Sequence, residues 1–440
     1  MEDRYGLPLT STSPRAVEAY RAGVDRILLA AHGADRAFEE ALAADPGFAL
    51  AAIGLARTLQ VHGRIPEAQA AAARARALTV GLSRRERQHV AAIGALLDGN
   101  AAGALAAVRA HLAEFPRDAL VLSLAVGAFG LIAFGGRPDH NALLLALLDE
   151  LAPHYGDDWW FIFAHGWAFN EARRPAEARS LMERALAAQP RSANAAHGIA
   201  HICYETGAGD EGARFLDGWL PSYERATPLH CHLSWHLALF ELARDNVSAA
   251  LRVYEDSIAP GASVGPPLNT LSDSAAFLWR LDLYGAPPAP ARWDPVRDFA
   301  ARAFPRPGLA FADIHAALAY AGHGDGVALA KLIEAFREAE GAGRLPSGPV
   351  PAALAEGLAA FAVGDYAGAI RHIEPVADGA IRLGGSHAQR DIFEETLIQA
   401  YLRAGRGADA ARLLERRLAR RPSARDQAWL TRASGGLGGP

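Results

Sequence analysis

The stretches EARSLMERAL (177–186) and EGARFLDGWL (211–220) begin 34 residues apart and follow one plan: an acidic residue, a small residue, then apolar side chains at helical spacing. PEAQAAAARARAL from Pro66 and GALAAVRAHL from Gly103 have the same character. Taken along the chain, the small residues are Ala68, Ala104, Ala142, Ala178, Gly212 and Ala250, with separations of 36, 38, 36, 34 and 38 residues. A period in this range, with a small residue opening the second helix of each unit, predicts helix-turn-helix repeats. A single such unit cannot bury its apolar face alone, so neighbours must stack into a superhelix with one concave surface.

The pattern extends in both directions. DRAFEEALAADP (35–46) reads as a second helix closed by Asp-Pro, and GFALAAIGLARTLQVHGR (47–64) as the next first helix, ended by Gly63. Near the other end, GLAAFAVGDYAGAIRHIEPV (357–376, with Ala369) and LIQAYLRAGRGADAARLLERRLARRP (397–422, with Ala410) are further repeats. Between them, APGASVGPPLNTLSD (259–273) and YGAPPAPARWDP (284–295) read as loops around a short helix, SAAFLWRLDLY. Helical periodicity returns over Leu309–Ala321 and Val327–Phe336, and AEGAGRLPSGPVP (339–351) is another connector. The expectation is an all-α solenoid of the tetratricopeptide type: an N-terminal array over 1–258, an irregular segment over 259–308, a C-terminal array over 309–433 and a frayed tail over 434–440. A solenoid of ten or eleven helix pairs can curve until it nearly closes, with its two arrays facing one cavity.

A formal charge of −5 makes no electrostatic case for nucleic acid or an anionic membrane as partner. The apolar fraction of 51% suits packed helices rather than disorder. Cys203 and Cys231 are too few for a disulfide framework, and the polar start MEDRYGLPLTSTSP has no signal-peptide core, so a cytoplasmic protein is expected. Ala119–Gly136 has 18 residues without a charge, the lower edge of a membrane span. Its place at a first-helix position predicts instead a helix buried between repeats.

The polar residues that exceed a scaffold's needs are histidines. AAHGIAHICYE puts His197, His201 and Glu205 along one helix face, and HCHLSWHLALFE puts His232 and His236 four apart, with Glu241 beyond. Both pairs shift by 35 residues, one repeat, so consecutive first helices should set them side by side. Two imidazoles four apart can reach one metal ion, and two such helices suit a divalent-metal site on His197, His201, His232 and His236. Gly198 follows His197 where a helical zinc protease would carry glutamate, so that chemistry is unsupported. The bland reading is groove histidines bonded to carbonyls or to Glu205 and Glu241. His165 and Trp167, in DDWWFIFAHGWAF, are candidate ligand-binding residues one repeat earlier; tryptophans such as Trp159 and Trp160 more often fill cores.

GGSHAQRDIFEETL, from Gly384, is the other unusual segment. Ser386 and Gln389 have the order of a helix capping box. That leaves His387, Arg390 and Asp391. As a bland pair of surface contacts, His387–Asp391 and Arg390–Glu394 are worth about 0.3–0.5 kcal/mol each. As a site, Asp391 orients His387 while Arg390 holds an anion near a helix N-terminus.

Across HGIAHICYETGAGDEGARFL, HLSWHLALFEL with VYEDSI, and GGSHAQRDIFEETLIQA, the chain resembles bacterial members of the tetratricopeptide repeat protein 38 family. The resemblance covers most of the chain, and SHAQRD is its most specific string. It implies an α-superhelix, and that His197, His201, His232, His236, His387, Arg390 and Asp391 belong to family motifs; it carries no catalytic role with them.

Two functions stay open. In the first, a concave pocket lined by His, Arg, Asp and Trp binds a small anionic molecule. Any catalysis there is hydrolytic or acid–base, carried by His201, His236, His387 and Asp391, with Trp167, Glu205, Arg390 and His165 contacting ligand. In the second, the groove is a non-enzymatic scaffold for a peptide or partner helix.

Overall fold

The computed structural model describes residues 1–435, and the described residues hold 23 α-helices joined by short turns, with isolated bridges at Glu2–Pro8 and Pro260–Ser263 but no strand. The fold is an all-α tetratricopeptide-like helical solenoid. The tail expected over 434–440 lies, past Gly435, outside the described residues.

The chain divides into two compact units. The first comprises residues 1–135, 139–198 and 226–229. Its helix pairs are Pro14–Leu29 with Ala34–Ala44, Ala49–Val61 with Ile65–Ala77, Arg84–Leu97 with Ala101–Glu114, and Trp159–Glu171 with Pro175–Ala188. The small residues expected at the pair contacts are buried: Ala68, Ala104 and Ala178 expose nothing. Ala142 departs from the series. It is exposed on the helix His140–Tyr155, whose buried face is instead Leu144, Leu147, Leu148 and Leu151.

The reason lies just upstream. The long helix expected over Ala119–Gly136 is a single turn, Ala119–Leu122, followed by irregular chain and a 3-10 turn, Ala133–Gly135. Gly127 sits at φ +87° and Gly136 at φ +71°, where helix cannot continue, so the repeat lacks its first helix. Leu120, Val121, Leu122, Leu131 and Ile132 are nonetheless buried, so the segment's apolar content serves a core. No described helix is long and apolar enough to cross a membrane.

The second unit comprises residues 136–138, 199–225 and 230–440. Its helices include Gly209–Trp219, His230–Ala243 with Val247–Val253, Pro267–Leu283, Ala310–His323 with Gly326–Gly341, Val350–Ala362 with Tyr366–Ile373, and His387–Arg403 with Gly407–Arg420. Ala250, Ala369 and Ala410 are fully buried at the pair contacts. At Gly212 a side chain is excluded outright: a Cβ would lie 2.5 Å from the Phe240 ring. Trp235, Phe277, Leu278, Ile314, Leu354, Ile392 and Ile398 belong to one continuous core here.

Two segments expected as loops are partly helical. Helix Pro267–Leu283 begins seven residues before Ser274, and Trp293–Ala303 forms a helix from within YGAPPAPARWDP. Proline misled the reading in both places. Pro267 and Pro295 fall in first turns, where the backbone N–H has no intrahelical partner to lose.

Candidate functional site

The second unit gathers three of the singled-out histidines. His201 lies on the helix Ala193–Glu205, and His232 and His236 on the helix His230–Ala243. His201 and His236 are fully buried, and His232 nearly so. The ring centroids of His201 and His236 are 4.4 Å apart, edge to face, and those of His232 and His236 are 5.0 Å apart. One ring nitrogen of each of the three lies within 4.8 Å of the others. Burial, reinforced by the nearby His232, His387 and Arg390, holds His201 well below the usual imidazole range. It is therefore neutral, the form that ligates a metal.

His232 is oriented from outside the cluster. Its Nδ1 faces both carboxylate oxygens of Asp273, at 2.9 and 3.0 Å, and its ring stacks on Trp235. Asp273 is completely buried on the helix Pro267–Leu283, on a stretch whose prolines read as loop. That is why sequence reasoning missed it. An acidic residue just ahead of the apolar stretch AAFLW was the signal that could have found it.

A buried arginine fastens these helices together. Arg280 donates to Glu395 Oε2 at 3.0 Å and to the carbonyl of Ala388 at 2.7 Å, and its guanidinium lies over the Trp235 ring. The helix Pro267–Leu283 thereby ties the helix His387–Arg403 to the His236 helix. His387 Nδ1 is 3.4 Å from Glu205 Oε1.

The SHAQRD segment is built largely by local geometry. Ser386 and Gln389 form the expected capping box. Gly384 and Gly385 both have positive φ, which turns their carbonyls onto the Arg390 guanidinium. Among the described residues the expected His387–Asp391 couple does not form. Asp391 accepts from the Tyr204 hydroxyl at 2.6 Å and pairs with Arg421 at 3.2 Å and Arg417 at 3.6 Å. These arginines overcome the effect of burial and hold its carboxyl well below the usual range.

His165, Trp167 and His197 belong to the first unit. His165 Nε2 is 2.7 Å from Asp149, and Trp167 stacks on His197 with centroids 5.3 Å apart. His197 lies four residues before His201 on the same helix. Glu241 accepts from Arg244 and Asn246, closing the end of its own helix.

The first unit contains a second cluster that no motif announced. Asp118 Oδ2 is 2.9 Å from His89 Nδ1, 3.0 Å from His111 Nε2 and 2.9 Å from Arg85 Nε, all buried. Arg85 Nη2 also reaches Asp3 at 2.7 Å. Two imidazoles and a carboxylate at this distance resemble a metal triad. Here a guanidinium already occupies the same carboxylate oxygen, and its charge would repel an ion. This cluster is an ion-pair hub.

Residues 169–229 match the model of the tetratricopeptide repeat family. The match spans the helix Pro175–Ala188, the His201 helix and the helix Gly209–Trp219. Similar solved structures include a crystal structure of the P58(IPK) TPR domain, at 15% identity with 91% of this chain and 89% of that chain covered and a TM-score of 0.21. Another is Naa15/Naa10 bound to HypK-THB, at 13% identity, with 96% and 72% covered and a TM-score of 0.22.

Proposed function

We propose that the second unit of this helical-repeat protein binds a divalent transition metal, zinc or a chemically similar ion, on His201, His232 and His236, and presents it to a small anionic ligand. The observation that carries this reading is the convergence of three buried imidazole nitrogens within 4.8 Å of one another. Imidazole suits zinc and its first-row neighbours, and three histidines leave a position for water or ligand.

The ion would supply Lewis acidity and a water made acidic enough to serve as nucleophile. The chain's own residues supply the rest. Arg390, anchored by the carbonyls of Gly384 and Gly385, adds positive charge near His201 that favours an anionic ligand. His387, beside Glu205, is placed to take or give a proton. Asp391, engaged by Tyr204 and Arg421, has a structural role in this reading. His165 and Trp167 contribute nothing to it.

We also infer, from the SHAQRD string, membership of the tetratricopeptide repeat protein 38 family. The arrays 1–258 and 309–433 joined by 259–308 remain our domain reading, and a content of two cysteines, both buried, fits a reducing compartment such as the cytoplasm.

Elemental mass spectrometry of the purified, untagged protein tests the site. One equivalent of zinc, iron or manganese that disappears in His201→Ala is expected. No bound metal after reconstitution with each ion refutes the metal reading and leaves the repeat scaffold without it.

A further inference from the structure

Asp273 is a completely buried carboxylate, and no arginine or lysine pairs with it among the described residues. Its partners are His232 Nδ1, the Ser272 hydroxyl at 3.3 Å and the Cys231 thiol at 3.8 Å. A carboxylate taken out of water needs a compensating charge or strong donors. The hydroxyl and thiol are neutral and distant, so the imidazole carries most of the burden.

We propose that Asp273 is a positioning residue that fixes His232 as the Nδ1–H tautomer, so that Nε2 keeps its lone pair for a metal ion. The single N–H facing both oxygens at nearly equal distance sets the ring's rotation as well as its tautomer. Stacking of the same ring on Trp235 holds the plane of the imidazole. Carboxylate, histidine and metal in series is a recurrent arrangement, because the carboxylate raises the basicity of the ligating nitrogen. It has a second consequence here. Three neutral imidazoles bring no negative charge to a dication, and Asp273 places one negative charge a single ring away. Its consequence for binding rests on the metal reading above; the tautomer does not.

The test is therefore made in two parts on the full chain. Histidine-selective 15N labelling and long-range 1H–15N correlation of the metal-free protein report which nitrogen of His232 carries the proton, with the signal assigned by its loss in His232→Gln. The expected result is protonation at Nδ1 in the wild type, shifting toward Nε2 in Asp273→Asn, whose amide can donate to Nδ1. Zinc affinity, measured by competition with a chromophoric chelator, is expected to fall about 10–100-fold in Asp273→Asn. A wild-type His232 protonated at Nε2 overturns the inference, and so does unchanged zinc affinity in a folded Asp273→Asn. If the wild type binds no zinc, the metal reading fails and the tautomer alone decides the role of Asp273. If Asp273→Asn does not fold, the wild-type tautomer still decides it.

Discussion

Replacing Asp118 by alanine should be among the most damaging single changes in the first unit. Asp118 is 2% exposed, and its Oδ2 is shared by Arg85, His89 and His111, while Oδ1 caps Val121 N at 3.4 Å. Removal leaves a buried guanidinium with Asp3 as its remaining carboxylate, and two buried rings with donors aimed at nothing. Breaking a buried pair from one side costs about 3–5 kcal/mol, because the other charge stays uncompensated. At about 2–4 °C per kcal/mol for a unit of this size, the melting point should fall by roughly 6–20 °C. Urea unfolding followed by circular dichroism gives the energy, and hydrogen exchange over residues 84–122 localises it. Asp118→Asn should lose less than Asp118→Ala, since its one amide oxygen can still accept from either the hub donors or Val121 N, though not from both. The triple variant Asp3→Asn, Arg85→Met and Asp118→Leu should recover stability relative to Asp118→Ala, because it removes Arg85 together with both carboxylates that pair with it. An Asp118→Ala protein within about 1 kcal/mol of wild type refutes the hub, since a surface ion pair costs no more than that.

The pH dependence has a definite sign at the same place. His89 and Asp118 both titrate below their unfolded values, His89 because of burial and Asp118 because its cationic partners outweigh burial. Their contribution is complete above the unfolded imidazole value of 6.5. It falls as pH drops through that region for His89 and below 3.8 for Asp118. Asp313 acts oppositely: burial pushes its carboxyl up to about 7 from 3.8, so its contribution is present in acid and lost as pH rises through 7. Asp313→Asn should therefore flatten a plot of urea midpoint against pH between 3.8 and about 7, and an unchanged slope there rejects the assignment. Gly385→Ala should destabilise by at least about 1–2 kcal/mol from its left-handed backbone alone. Its Cβ would also lie 2.3 Å from the Phe311 ring, so a melt unchanged from wild type would contradict the turn geometry. Arg280→Leu takes the donor from Glu395 Oε2 and from the Ala388 carbonyl, leaving Tyr284 and Arg417 on Glu395 Oε1, with an expected cost of about 3 kcal/mol. Rescue by Glu395→Leu in the same chain, read in the same melts, identifies the ion pair as the cause.

Much of the architecture was legible because helical repeats are written in local terms. An apolar stripe at the helical period needs only its own residues to be recognised. A buried alanine such as Ala68, Ala178 or Ala410 recurs because each helix pair meets its neighbour at one tight contact. The Ser386 capping box was readable for the same reason: its donors and acceptors lie three residues apart. The histidine spacing also placed His201 and His236 correctly as neighbours, since one repeat of displacement returns nearly the same helix face.

Reading failed where one residue's conformation depended on distant packing. The glycines of 119–136 look tolerable in an apolar helix, yet Gly127 and Gly136 take backbone angles that no helix contains. Pro267 and Pro295 look like breakers, yet each sits in a first turn where proline costs no hydrogen bond. No spacing rule joins His232 to Asp273 across 41 residues, or His89 to Asp118 across 29. The sequence by itself determined most of the helices and the face on which the histidines stand, because these depend on hydrogen bonds and contacts a few residues apart. Tertiary structure alone decided which carboxylate meets which imidazole, because a buried charge takes the partner that packing places against it, however far away in the chain that partner lies.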